Sequence, residues 1–439
     1  MEVRDASAGY APQVEVPAVP GGYKQTEVGV IPEDWEADNL GRFWGLTDCK
    51  HVTAPFVPQG FPLASIREVQ SRFVDLTNAK QTTKTFYKLL IEGGRKPQAE
   101  DLILSRNATV GEVAQVAEWH PPFAMGQDVC LLRKKSDELS TEFLQCVFQS
   151  SIVRKQLADL MVGSTFKRAN VEQIRNFTVP MPPGKEQRAI ATALSDVDAL
   201  LEALDRLIAK KRDIKQATMQ QLLTAQTRLP GFEGEWIHTT LGEVASFYKG
   251  KGLSKSAITP NGARRCIHYG ELFTRYGATI CETISRTDEF LDAFLSVSND
   301  VLMPTSDVTP KGLAKASCVI VDDVVLGGDI LIIRCDPDVL DGTFLSYIIR
   351  MDEDQVLKLV TGTTVYHLYG SDMKKFEFMM PGVSEQNAIV GVLSDIEDEL
   401  GALEQRRTKT AALKQAMMQE LLTGRTRLVG LQVGAEAGE

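Results

Sequence analysis

Two stretches of this chain, far apart in the sequence, gather cations, hydroxyls, amides and rings of the kind that hold a ligand without making or breaking bonds. The first contains Lys80, Gln81, Thr82, Lys84, Tyr87, Arg95, Lys96, Ser105, Arg106, Asn107, Ser164, Thr165, Lys167 and Arg168. The second contains Lys249, Lys251, Arg264, Arg265, Tyr269, Arg275, Thr305, Ser306, Thr363, Thr364, Tyr366 and His367. Side chains of these types donate to phosphate oxygens and meet the polar edges of bases. Any one of them, taken alone, equally suits a solvated surface.

Residues for covalent chemistry are absent from the pattern. Gly250-Lys251-Gly252-Leu253-Ser254-Lys255 lacks the spacing of a phosphate-binding loop. No G-x-G-x-x-G opens a helix after a strand. The Pro121-Pro122 and Pro182-Pro183 pairs lack the flanking residues of an amino-methyltransferase motif. The five histidines and seven cysteines show no metal-ligand spacing, so neither a catalytic set nor a metal is expected. The acidic clusters Asp322-Asp323 and Asp352-Glu353-Asp354 occur in one half of the chain only, which argues against a duplicated active site.

Duplication is nonetheless the dominant feature. Glu186-Gln187-Arg188-Ala189-Ile190 returns as Glu385-Gln386-Asn387-Ala388-Ile389, and Thr227-Arg228-Leu229 as Thr426-Arg427-Leu428, all at an offset of 199. Between 186 and 229, 22 of 44 positions are identical, far beyond chance. Weaker matches at offsets of 199 to 202 pair Trp35 with Trp236, Asp101 with Asp300, Arg133 with Arg334, and Phe177 with Phe376. The chain is a repeated unit in which a divergent globular part precedes a well-matched helical part.

These elements must position the polar loops. Residues 41–180 and 241–380 read as mixed α/β, with strands at Val129 to Leu132, Thr178 to Met181, Ser317 to Val321 and Ile330 to Ile333. Helices are expected at Ser140 to Met161 and Asp341 to Leu359. From Glu186 onward, Ile190, Leu194, Val197, Leu201, Leu204, Ile208 and Leu222 fall on a 3.5-residue period. Ile389, Leu393, Ile396, Leu400, Leu403, Met417 and Leu421 repeat it. Each such helix would run roughly 57 Å, too long to bury against its own small domain. Packing of the two on each other is the simplest solution, and separate packing is the alternative. The fold class is therefore α/β (α+β): two globular domains separated by two long helices in an antiparallel coiled coil, with a pseudo-two-fold internal repeat. The expected boundaries are a flexible tail at 1–21, a first domain at 22–182, a helix at 183–229, a second domain at 230–381, a helix at 382–429 and a tail at 430–439.

Charge bounds the function. The chain carries a formal net charge of −10, which argues against simple polyanion binding. Locally, residues 41–180 are net +4 and residues 241–380 net −5. An acidic total does not exclude DNA binding, but it suggests that another subunit supplies part of the phosphate-neutralising charge. No apolar run is long enough to span a membrane, and Met1 to Pro20 lacks the basic and apolar regions of a secretory signal. A cytoplasmic protein with reduced cysteines is expected.

The order of the matched segments now resembles a known family. Gly22 to Trp35, the central Leu229-Pro230-Gly231-Phe232-Glu233-Gly234-Glu235-Trp236, the paired Glu-Gln-x-Ala-Ile helices and the closing Leu-Leu-Thr-x-x-Thr-Arg-Leu resemble the specificity subunits of Type I restriction–modification systems. The resemblance covers residues 22–429. It implies a non-catalytic subunit in which each divergent domain is a target recognition domain, reading one half of a bipartite, asymmetric site on double-stranded DNA. It implies that the helices set the spacing and dock two methyltransferase subunits. S-adenosylmethionine, ATP and magnesium would be held by the methyltransferase and by motor–nuclease subunits, and none by this chain. A tandem enzyme, a coiled-coil scaffold for proteins, and an orphan specificity subunit are the alternative readings.

Overall fold

Leu102, Ile103 and Leu104 are all fully buried, as are Val129 to Leu132, and apolar runs without alternation are what strands covered on both faces require. In the computed structural model, which describes residues 19–161 and 168–428, these runs form the centre of a four-stranded sheet. Its strands are β1 (Trp44–Asp48), β2 (Leu102–Ser105), β3 (Val113–Gln115) and β4 (Val129–Lys134), in the order β1-β4-β2-β3. Side chains alternate between two apolar clusters, as the two-residue period dictates. Leu102, Leu104, Cys130 and Leu132 enter one with Phe143 and Leu144, while Ile103, Val129 and Leu131 enter the other with Val69 and Met125.

The chain divides into two units, Met1–Ala203 with Arg407–Glu439, and Leu204–Arg406. The second has its own sheet, built from β5 (Ala245–Lys249), β6 (Thr279–Ile280), β7 (Asp300–Pro304), β9 (Ser317–Val319) and β10 (Ile330–Cys335), in the order β5-β10-β7-β9-β6. A separate ribbon pairs β8 (Ser306–Asp307) with β11 (Tyr366–His367). The alternation recurs: Val301, Met303 and Ile333 face one cluster, and Leu302 and Ile332 the other.

Each expected domain helix is two helices. Thr141–Gln149 and Ser151–Met161 are separated at Ser150, whose hydroxyl donates to the Val147 carbonyl and accepts the Ile152 N–H. Gly342–Met351 and Glu353–Leu359 are separated at Asp352, which accepts the Gln355 N–H. In both places a short polar side chain offers the backbone an alternative to the helical ladder. The expected strand Ser317 to Val321 ends at Val319.

The long helices are α1 (Gly184–Leu223) and α2 (Val383–Leu421). Their division between the units is the least expected feature of the fold. The first half of α1 and the second half of α2 belong to the first unit, and the remaining halves to the second. Within the first unit, Ile190 and Leu194 join Met418, Leu421 and Leu422 in the same core as Phe143. Within the second, Leu222 and Leu223 join Ile389 and Leu393 in the core with Phe344. The ends of the apolar stripe are thus absorbed into globular cores. Val197, Leu201, Ile396, Leu403 and Met417 are half-buried, and Leu204, Ile208, Leu400 and Leu421 buried. Ion pairs fix the direction. Asp198 meets Lys414 at 2.6 Å in the first unit, while Lys211 pairs with Glu399, and Lys215 with Glu397 at 2.5 Å, in the second. Residue number rises on one helix as it falls on the other, so the paired segments run antiparallel.

The repeated motifs are the fasteners of this frame. Glu186, fully buried, accepts from Arg427 at 2.7 and 2.9 Å and from the Trp35 indole at 3.0 Å. In the second unit Glu385 accepts from Arg228 at 2.5 and 2.6 Å, and the Arg228 guanidinium lies over Trp236. The neighbouring Gln187 accepts the Ser140 N–H at 2.9 Å, and Gln386 the Asp341 N–H at 2.8 Å. Both Ser140 and Asp341 cap a helix, so each glutamine ties a long helix to a domain helix. Asp101 and Asp300 are gripped bidentately by Arg133 and Arg334.

Candidate nucleic-acid interface

In each unit one pair of polar loops meets at one end of the central sheet. In the first, that end is formed where β1 finishes at Asp48, β2 at Ser105, and β4 begins at Val129. Asn107 and Arg168 face each other there in an antiparallel bridge, and the Ala169 N–H donates to the Arg106 carbonyl at 3.0 Å. Two loops separated by some sixty residues are thereby joined. Arg168 is exposed and lies 3.3 Å from Asp128. Ser164, Thr165 and Lys167 lie outside the described residues.

The second unit repeats the arrangement with different residues. Thr305 follows β7, the Ser306–His367 ribbon joins it to the 361–369 loop, and the Leu368 N–H donates to the Thr305 carbonyl at 3.0 Å. Lys249 and Asp329 close the same end of the sheet, where Thr305 N–H meets the Asp329 carbonyl. A recess of about 680 Å³ opens there, with Lys249, Thr305, Ser306 and His367 on its walls. The Lys249 ammonium has only a long contact of 3.9 Å to Asp329 and remains largely in water.

Several of the expected contact residues serve the fold instead. Arg106 is 3% exposed and its guanidinium is 2.5 Å from Asp48, so it turns inward beneath the loop. Ser105 is fully buried and shares hydrogen bonds with Asn107 and Thr109. Thr82 is fully buried and donates to the Pro55 carbonyl. Tyr87 is buried and stacks on Phe61 at 4.2 Å. Arg95 is spent on the carbonyls of Asp48 and Glu92, and Gln81 accepts the Gly60 N–H. Lys84, Lys96, Lys251, Arg265, Thr363 and Thr364 are exposed, while Tyr269, Tyr366, Thr305, Ser306 and His367 are half-buried. Lys80 lies over the exposed Phe56 ring, Arg264 over Phe290, and Arg275 is 3.8 Å from Glu271.

Other groups at these sheet ends were not singled out from the sequence. In the first unit Gln127 donates to Thr53 at 3.2 Å on the rim of a smaller recess. In the second, exposed Tyr369 and Lys374 share the larger recess with His367, whose ring stacks with Tyr369. Tyr369 continues the polar loop past His367, which was the available signal for it.

Asp48, Cys49 and His51 place ligand atoms within 4.8 Å of one another, although their spacing gives no metal motif. The Arg106 guanidinium stands 2.5 Å from Asp48 and 4.0 Å from the Cys49 sulfur, where a cation would sit. Burial pushes the Cys49 thiol above its ordinary value, which opposes the thiolate a metal needs. The cluster reads as an ion pair. Among the described residues, no helix is long and apolar enough to cross a membrane.

Comparison with known proteins agrees with the repeat. Residues 71–211 and 233–413 match the family described as Type I restriction modification DNA specificity domain. Two Methanocaldococcus jannaschii chains, named as the MjaX and MjaVIII type I restriction enzyme specificity subunits, are each 22% identical to this one. The alignments cover 92% and 91% of this chain, and 97% and 95% of theirs. The S subunit of a type I system from M. genitalium shares the fold, with a TM-score of 0.55 at 14% identity over 88% of this chain and 96% of its own.

Proposed function

The chain belongs to the Type I restriction–modification DNA specificity family, and from that premise we propose how its two units divide the work. Each unit reads one half of a bipartite, asymmetric target in double-stranded DNA with the loops at the end of its central sheet. The two long helices form an antiparallel coiled coil with pseudo-two-fold symmetry. They hold the half-sites roughly one helical turn apart on the duplex. Two methyltransferase subunits dock on the matched segments, bind S-adenosylmethionine and flip the target adenine. Motor–nuclease subunits, using ATP and magnesium, join to cut unmethylated DNA. The chain itself catalyses nothing and works in the cytoplasm.

One observation carries this reading. In both units the matched Glu-Gln segments tie the long helices to the domain helices, while two polar loops that differ between the repeats are bridged at one sheet end, Asn107 to Arg168 and Ser306 to His367. A pair of readers for two different sequences needs that division. The acidic balance adds that tight DNA binding requires the partners' basic surfaces, with affinity falling steeply as salt rises. Methylome sequencing of cells carrying the chain with its methyltransferase tests the proposal. A two-part adenine-methylated motif that vanishes when the chain is deleted is the expected result; unchanged methylation would refute it.

A further inference from the structure

We infer that the tip of the Ser306–His367 ribbon reads the 5-methyl group of thymine in the major groove, an assignment that rests on the DNA-reading role proposed above. The ribbon pairs Ser306 with His367 and Asp307 with Tyr366. Continued by one residue, that register brings Val308 opposite Val365. Val308 is 71% exposed and Val365 43%, so two branched aliphatic side chains stand in water at the end of a polar loop.

The base beneath them is firmly held. His367 exchanges two backbone hydrogen bonds with Thr361, at 2.7 and 2.9 Å, which closes the loop carrying Val365. Gly362 allows that closure: its φ is +109°, and a Cβ there would stand 2.2 Å from the Val365 carbonyl oxygen. The adjacent acid is turned away from any ligand. Asp307 accepts the Val308 N–H at 2.7 Å and the Thr309 hydroxyl at 2.8 Å, so its carboxylate is spent within the loop.

A two-stranded ribbon fits the major groove of B-DNA, and among the four ordinary bases the thymine methyl is the one apolar group displayed there. An apolar ribbon tip therefore has a single complementary feature on that surface. The corresponding place in the first unit carries the Asn107–Arg168 bridge. The half-site of the second unit must then hold one or two thymines whose methyl groups matter.

The test uses the chain assembled with its methyltransferase subunits and a duplex bearing its methylated motif. Each thymine is replaced singly by deoxyuridine, and the dissociation constant is measured at fixed salt. A loss of about fourfold per methyl is expected at one or two positions, the worth of one buried methyl group. The exposed substitutions Val308→Ser and Val365→Ser, made together, should abolish that discrimination while melting and methyltransferase assembly stay unchanged. No uridine penalty in either half-site, or a penalty that survives the double substitution, overturns the inference. So does weakened methyltransferase assembly with the uridine penalty intact, which would make the tip a protein contact. Failure of the DNA-reading role itself would look different: no duplex would be bound specifically by the unmodified assembly.

Discussion

Consider the removal of Arg427. Its guanidinium grips Glu186 at 2.7 and 2.9 Å and Asp34 at 2.8 and 2.9 Å. Glu186 has no solvent exposure of its side chain, and without Arg427 it would keep the Trp35 indole as its side-chain donor. Stranding one partner of a buried ion pair costs about 3–5 kcal/mol. The Arg427 side chain is 26% exposed, so water can enter the vacated place and the lower end, about 3 kcal/mol, applies. For a unit of this size that corresponds to a fall in melting temperature of roughly 6–12 °C. We predict that Arg427→Ala lowers the first unit's transition by that amount in scanning calorimetry, with the second unit's transition in place. A double-mutant cycle with Glu186→Gln should return a coupling above about 1 kcal/mol. A shift under about 2 °C, or simple additivity in the cycle, would refute the assignment of Glu186 and Arg427 as the fastener.

Further expectations can be checked more quickly. The hydrogen bond from Arg427 holds the Asp34 carboxyl below its ordinary value of 3.8. A depressed carboxyl stabilises the fold above that value and loses the contribution as pH falls below it. Asp34→Asn should therefore flatten the acid loss of stability, read as the urea midpoint between pH 5 and pH 3; an unchanged slope would count against the contact. Of the seven free cysteines Cys281 alone is exposed, and burial pushes the Cys146 and Cys318 thiols up to about 12. A thiol reagent should label one site on the native protein and seven after denaturation, by mass spectrometry. Gly362→Ala must distort the loop that carries Val365. It should weaken specific DNA binding by the assembly with little change in melting temperature, whereas unaltered binding would remove that loop from the interface. Arg106→Ala removes the guanidinium paired with Asp48 beneath the first unit's loops and leaves the carboxylate only the exposed His51 ring at 3.3 Å. It should cost stability in calorimetry in the absence of DNA, and a variant of full stability would argue that Arg106 is held less firmly than its burial implies.

What the sequence made legible follows from what repeats and periods encode. The matched Glu-Gln and Thr-Arg-Leu segments stood out because fasteners such as Glu186 and Arg427 tolerate few replacements. The central strand Val129 to Leu132 stood out because burial on both faces leaves it uniformly apolar, whereas the equally buried Leu102 to Leu104 is too short a run to be read as a strand by itself. The loops of the candidate site were legible by their divergence. The direction of each side chain was not. Arg106 and Asn107 are neighbours of similar polarity, and the Asp48 carboxylate on an adjacent strand draws the arginine inward. The breaks at Ser150 and Asp352 were hidden because a cap needs no proline or glycine. The helical period located Ile190 and Leu421, yet a period alone does not say whether such residues meet in a helix seam or a domain core. That choice depends on Phe143 and Leu144, which come from another part of the chain.

The sharing of helix halves has a consequence for the birth of the molecule. The first unit contains residues up to Ala203 and resumes at Arg407. On a ribosome adding about 5–20 residues per second, roughly ten to forty seconds separate the two parts. Throughout that interval Ile190 and Leu194 lack Met418, Leu421 and Leu422, and Glu186 lacks Arg427. The second unit, continuous from Leu204 to Arg406, has all its pieces first. Synthesis order and order of completion are therefore reversed: the half made first is finished last, and it is the half a chaperone must guard.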